Sequence, residues 1–166
     1  MMKKSLYFIG LSALLIVISA CSTTAKVWQP YDNIDIAASS DVNPDGKGFA
    51  SPIQIKIYEL TSRSTFDNLD FERAYNNAQT LLSDELVSEA VITLQPNESI
   101  RHNIALNENT RFIAIIAGFI NIDSTRWKHV YDVNPFGYYN HEITLNDKGI
   151  IAGIIKEEAI PEAPAE

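Results

Sequence analysis

The distribution of apolar residues along the chain predicts a mainly β protein. After residue 33, apolar and polar residues alternate in short runs, which is typical of strands with one buried face. Ile53, Ile55 and Ile57 form the clearest run, because a polar residue or tyrosine follows each of them. About eight such runs at close spacing predict an all-β, two-sheet β-sandwich. The runs cover residues 34–36, 53–58, 90–94, 100–106, 111–120, 127–133, 141–145 and 149–155.

Two segments depart from this alternation. Arg111–Ile120 is apolar at both odd and even positions, which predicts a central strand covered on both faces. Ser64–Leu82 instead has Phe71, Tyr75 and Ala78 at helical spacing, and Asp70 is a suitable N-cap before them. We therefore expect a small helical insertion at 64–82, with this stripe packed on a sheet face.

The first 21 residues are typical of a lipoprotein signal. Lys3 and Lys4 precede an apolar stretch from Leu6 to Ile18, which is too short to cross a bilayer as a helix. Ile18-Ser19-Ala20-Cys21 resembles a bacterial lipobox, in which the cysteine is lipidated and becomes the mature N-terminus. Ser22, rather than aspartate, follows the cysteine, and by the usual bacterial sorting rule this points to the outer membrane.

The chain thus divides into four parts. We expect a signal peptide at 1–20, a lipidated N-terminus and tether at 21–33, a β-sandwich domain at 34–155, and a disordered tail at 156–166. The tail is predicted from its composition of Glu, Ala and Pro.

Composition and charge exclude several classes of protein. With 46% hydrophobic residues the 166-residue chain can bury a core, so wholesale disorder is excluded. The formal charge of −8 disfavours nucleic-acid binding, which requires a basic face. The single cysteine excludes an internal disulfide framework and a multi-thiolate metal site.

No motif indicates catalysis. The sequence has no nucleophile elbow, no glycine-rich phosphate loop and no zinc-binding helix. His102, His129 and His141 fall within predicted strands, and none has a second ligand at metal-binding spacing. His102 shares a face with Ile100 and Ile104, which favours a core histidine. We therefore predict no enzyme, no catalytic residue, no metal site and no cofactor.

Two loops are candidates for binding. Asp41-Val42-Asn43-Pro44-Asp45-Gly46 begins like a calcium loop, but Pro52 stands where the bidentate glutamate is needed. An exposed, adaptable loop that binds a partner is the other interpretation, so a calcium- or ligand-binding lipoprotein module remains the alternative. Phe136-Gly137-Tyr138-Tyr139 could anchor an interface or fold over the end of the core.

Several motifs in order resemble the TssJ family, the outer-membrane lipoproteins of type VI secretion. Five motifs of the family have counterparts in this chain, namely its strand motif, its helix start, its turn, its central strand and its Trp-Arg strand start. These are Ala50–Leu60, Phe66 with Asp70-Phe71, Leu94-Gln95-Pro96 (with Asn97 in place of glycine), Phe112–Phe119, and Trp127-Lys128. The resemblance covers residues 34–133 and the lipobox.

The resemblance implies a transthyretin-like β-sandwich with a small helical addition, and no enzyme. It implies a protein on the periplasmic face of the outer membrane, anchored in lipid through acylated Cys21. The partner it implies is the periplasmic domain of TssM, with TssL in the same complex. In the family, the loop between the first two strands carries much of that contact. Here the loop is 39–48, and the implied contact residues are Asp41, Val42, Asn43, Pro44, Asp45, Gly46 and Lys47.

Overall fold

The computed structural model describes residues 29–153 and 156–157. Nine strands and a helical insertion follow one another along the chain. They are β1 (Tyr31–Ala38), β2 (Ile53–Leu60), α1 (Ser64–Asp67), α2 (Phe71–Asn76), α3 (Ala78–Leu82), β3 (Leu86–Leu94), β4 (Ser99–Ala105), β5 (Phe112–Ala117), β6 (Lys128–Asp132), β7 (Tyr138–Asn146), β8 (Gly149–Ala152) and β9 (Lys156–Glu157).

The strands form two packed sheets, and the predicted all-β sandwich is confirmed. The first sheet has the order β4-β1-β7-β8, and the two-residue β9 also pairs with β7. The second sheet has the order β3-β2-β5-β6. Neighbouring strands are antiparallel except β1 and β7, which run parallel in a register that pairs Tyr31 with Tyr138.

The alternating isoleucines supply the core between the sheets. Ile34 and Ile36 of β1 face Ile53, Ile55 and Ile57 of β2, and all five belong to one buried cluster. Because successive side chains of a strand point to opposite faces, the polar residues between them lie outside this core. The period-two pattern therefore predicted the buried isoleucines correctly, but it missed the burial of Tyr58 on the other face of β2 and of Asp32 in β1.

Strand β5 is buried on both faces, as its continuous apolar sequence predicts. Ile113 and Ile115 point into the core between the sheets. Ala114 and Ile116 point the other way, into a second cluster beneath the helical insertion. The second sheet consequently needs cover on both sides.

The helical insertion provides that cover and begins and ends as predicted, at Ser64 and Leu82, but as three short helices. Asp70 is the N-cap of α2, and its carboxylate accepts a hydrogen bond of 2.9 Å from the backbone N–H of Arg73. The predicted stripe of Phe71, Tyr75 and Ala78 packs on the sheet. No helix within the described ranges is long and apolar enough to cross a membrane.

Two predicted boundaries were wrong. Strand β1 begins at Tyr31, so the predicted tether loses residues 31–33 to the sheet, where they pair with both β4 and β7. The predicted tail also starts too early, because Lys156 and Glu157 pair with Asn140 and Tyr139. Backbone pairing with other strands therefore decides both ends of the domain. The remainder of the tail and residues 1–28 lie outside the described residues.

The sandwich has two ends. The N-terminal end holds Tyr31 and the connections 106–111 and 133–137, and the distal end holds the connections 39–52, 95–98, 118–127 and 147–148. Strand β1 joins them, and its eight residues span about 25 Å. The chain enters the domain at Tyr31. The β1–β2 loop therefore lies at the opposite end of the domain.

Phe66 is the residue by which to test the role of the insertion, because it is fully buried beside Tyr58. We expect Phe66→Ala to lower the free energy of unfolding by about 3–5 kcal/mol, since it leaves a cavity beneath the insertion. Urea unfolding would measure this. Phe136→Ala is the matched control, because Phe136 is 71% exposed and its loss should change stability by less than about 0.5 kcal/mol. Equal losses in the two variants would contradict the assignment.

Candidate partner-binding surface

Two residues of the β1–β2 loop hold it against the domain. Val42 is fully buried in the core between the sheets. Asn43 is almost fully buried, with a positive φ of 50° that asparagine tolerates better than most residues. Its side-chain amide donates to the carbonyl of Pro52 (2.8 Å) and accepts from the backbone N–H of Ile120 (2.7 Å). Of the residues predicted to contact a partner, these two therefore point inward.

Asp45 shapes the tip of the loop. Its Oδ1 accepts hydrogen bonds from the backbone N–H groups of Lys47 (2.8 Å) and Phe49 (2.9 Å). Gly48 follows with a φ of 84°, a conformation that favours glycine. This hydrogen-bonded turn presents Gly46, Lys47 and Phe49 to solvent, and the Phe49 side chain is 69% exposed.

The loop continues into a surface formed by the β5–β6 connection. A cleft of 380 Å³ lies between them and has Pro44, Asp45, Phe119 and Asp147 in its lining. Ile120 also borders the cleft and is 58% exposed. An exposed apolar side chain beside carboxylates, on a loop held rigidly, can bind a complementary protein surface. Ile120 was not predicted as a site residue, because the sequence places it at the end of a buried strand.

The calcium interpretation finds no support in this geometry. Both polar atoms of the Asn43 amide have protein partners, and Asp45 Oδ1 accepts two backbone hydrogen bonds. Asp41 accepts from the hydroxyl of Ser39. Within residues 29–153, no three His, Cys, Asp or Glu side chains lie close enough together to hold a metal ion.

In the second candidate loop, Phe136-Gly137-Tyr138-Tyr139, only Phe136 is exposed. Tyr138 and Tyr139 belong to strand β7, and Tyr138 is buried with its ring 5.3 Å from that of Tyr31. The hydroxyl of Tyr139 accepts a hydrogen bond from the backbone N–H of Asn134. These tyrosines fold over the end of the core, which was one of the two expectations, and Phe136 alone stays exposed.

His141 has a partner that spacing along the chain did not reveal. Its Nδ1 lies 2.7 Å from Asp32 Oδ1, and the hydroxyl of Tyr131 donates to Asp32 Oδ2 at 2.9 Å. All three side chains are buried, and His141 Nε2 has no hydrogen-bond partner among the described residues. Burial, followed by the Asp32 charge, raises the pKa of Tyr131 well above its usual value. Asp32 was missed, although it lies on the same face of β1 as Ile34.

The other two histidines are half-buried, so His102 lies at the edge of the core and not within it. Burial lowers the pKa of both His102 and His129. For His129, the positive charges of Arg126 and Arg63 lower the pKa further. The lowered pKa values mean that the folded domain favours the neutral form of both side chains.

The depressed pKa of His129 makes stability depend on pH. The unfolded chain takes up a proton near pH 6.5, whereas folded His129 takes one up only at a lower pH. The free energy of unfolding should therefore fall as the pH drops from about 7 to 5. We expect the fall to be smaller in His129→Gln, as urea unfolding at several pH values would measure. An unchanged slope would contradict the assignment.

Cys21, the predicted lipidation site, lies outside the described residues, as does the predicted signal peptide at 1–20.

The chain is similar to one protein family and to several solved structures. Residues 30–148 match the family model described as type VI secretion lipoprotein, VasD, EvfM, TssJ. The crystal structure of the T6SS lipoprotein TssJ1 from Pseudomonas aeruginosa is 28% identical, with a TM-score of 0.73, and the match covers 81% of this chain and 100% of that one. No curated protein sequence matches the chain.

Two further solved structures share the fold at lower identity. Serratia marcescens Lip, a membrane-bound component of the type VI secretion system, is 20% identical with a TM-score of 0.71, covering 76% of this chain and 98% of that one. A structure titled as the C-terminal domain of the T6SS protein TssM from EAEC contains a chain that is 18% identical with a TM-score of 0.63. That match covers 72% of this chain and 98% of that one.

Proposed function

Because the chain belongs to the type VI secretion lipoprotein family, TssJ, we propose that it tethers the secretion membrane complex to the outer membrane. The family is a structural component of the system and not an enzyme family. In this proposal, acylated Cys21 holds the protein in lipid on the periplasmic face of the outer membrane. The β1–β2 loop binds the periplasmic domain of TssM, and TssL belongs to the same complex.

The observation that carries this proposal is the construction of the β1–β2 loop. Val42 and Asn43 fix it to the domain, while Asp41, Lys47 and Phe49 are exposed. A loop held rigid before binding loses less conformational entropy in a complex than a mobile one. It also lies at the distal end, about 25 Å from the entry of the chain at Tyr31. A partner can therefore bind there without meeting the anchor.

Charge also suits this arrangement. The chain carries a formal charge of −8, and Asp41, Asp45 and Asp147 are at the distal end. Carboxylates around an exposed apolar residue favour a partner surface with a basic rim. Acidic residues of the mature protein would also oppose close approach of the whole domain to anionic lipid.

Replacing the entire 41–47 segment would remove Val42 from the core, so the test should change exposed residues only. We expect Asp41→Ser/Phe49→Ser to weaken binding of the TssM periplasmic domain by about tenfold or more, because an apolar contact and a charge are lost. Calorimetry on the 22–166 fragment, which contains every described residue, would measure this. The melting temperature should not change.

The matched control for that pair is Asp132→Ser/Phe136→Ser at the N-terminal end. Asp132 is exposed like Asp41, and Phe136 is 71% exposed against 69% for Phe49. Binding should survive this change. Weakened binding in the control alone would move the interface to the N-terminal end. No binding by the unmodified fragment would remove the TssM assignment.

Lipid attachment has its own test. We expect Cys21→Ser to leave the fold and TssM binding intact but to abolish membrane association and secretion, because acyl chains on this cysteine are the proposed anchor. Membrane fractionation and a secretion assay would measure both effects. Thr23→Ser is the control, since it leaves the thiol in place. Normal secretion by Cys21→Ser would refute anchoring through this residue.

A further inference from the structure

Phe136 has no apolar cover in the described chain, yet its backbone is held in an ordered turn. Gly137 N–H donates to the carbonyl of Asn134 (2.8 Å), and Phe136 N–H donates to Asn134 Oδ1 (3.0 Å). Pro135 is buried beneath. The ring is therefore presented outward by a fixed turn, with 71% of its surface exposed.

This turn lies beside the entry of the chain into the sandwich. Tyr31, the first residue of β1, pairs in register with Tyr138, two residues after Phe136. Nine residues separate Cys21 from Tyr31, so the Cα atoms of these two residues lie at most about 35 Å apart. If Cys21 is acylated, this length keeps the N-terminal end of the sandwich near the lipid surface. The distal end, with Phe49, lies about another 25 Å away along β1.

The charge pattern at the turn fits a lipid surface. Residues 133–140 contain no charged side chain, although the chain as a whole is acidic. The β1–β2 loop, in contrast, has Asp41, Asp45 and Lys47 around Phe49. An aromatic ring on an uncharged tip is itself not repelled by anionic headgroups, although the exposed Asp132 precedes the tip, and aromatic rings are favoured at the membrane interface.

We infer that Phe136 is a second membrane contact, inserting its ring into the headgroup region of the leaflet that holds Cys21. This inference rests on the proposed lipid anchor, because a single ring binds too weakly without one. The tether raises the effective concentration of the tip at the surface, so a weak contact becomes populated. Two contacts with the same leaflet then orient the domain, with the β1–β2 loop directed away from the lipid.

The test uses an environment-sensitive fluorophore on a single cysteine. Lipidation consumes Cys21, the only cysteine of the chain, so Phe136→Cys gives one free thiol for labelling with NBD. The processed, lipidated protein is reconstituted into vesicles of phosphatidylethanolamine with a minor fraction of phosphatidylglycerol. Phe49→Cys is the matched control, because its side chain is exposed to almost the same extent, 69%.

We expect the fluorophore at position 136 to shift to shorter wavelength and to be quenched by brominated acyl chains, while that at position 49 stays in water. No shift at 136 in protein that sediments with the vesicles would overturn the membrane contact and leave the anchor standing. Equal shifts at both positions would also overturn it, because the label alone would then be responsible. If the lipidated protein does not sediment at all, the anchor itself fails, and the inference fails with it.

Discussion

The structure depends on one packing constraint, which is that the central strands of the second sheet are apolar on both faces. Strand β5 places Ile113 and Ile115 on one side and Ala114 and Ile116 on the other, and β2 does the same with its isoleucines and with Tyr58 and Leu60. The first sheet can cover only one of these faces. The helical insertion covers the other, so it is part of the core and not a surface decoration. With the sheet held from both sides, the connections at each end start from fixed positions.

Those fixed positions separate the domain into two ends with different chemistry. At the distal end, Val42 and Asn43 hold a loop that exposes Asp41, Lys47 and Phe49. At the N-terminal end, tyrosines cover the core, and one uncharged turn presents Phe136. A tethering protein needs its attachment and its partner site to be accessible together. In the proposed function, the chain enters at one end of β1 and the partner binds at the other, so the sandwich would keep attachment and partner site apart.

The buried Asp32–His141–Tyr131 group shows what joins the two sheets at the N-terminal end. Asp32 and His141 come from neighbouring strands of the first sheet, and Tyr131 comes from the second. A buried carboxylate is costly unless hydrogen bonds compensate it, and here two donors reach it. Such a group adds little net stability, but Asp32 gains both of these hydrogen bonds only when the two sheets have the correct register. The group therefore favours one register between the two sheets at this end.

The sequence by itself determined the strands, the insertion and the buried faces, because the periods of apolar residues follow directly from strand and helix geometry. It also determined the turn at Asn97. This residue has a φ of 66°, which asparagine tolerates and which also suits the glycine that the family has at this position. Only the tertiary structure decided the pairing of His141 with Asp32, the ends of the first and last strands, and the inward direction of Asn43. They depend on contacts between residues that are not neighbours in the chain, from Tyr139 with Glu157 at the last strand to Asn43 with Ile120 and Asp32 with His141. Local periodicity carries no information on such distant contacts, since they form only when the two sheets pack.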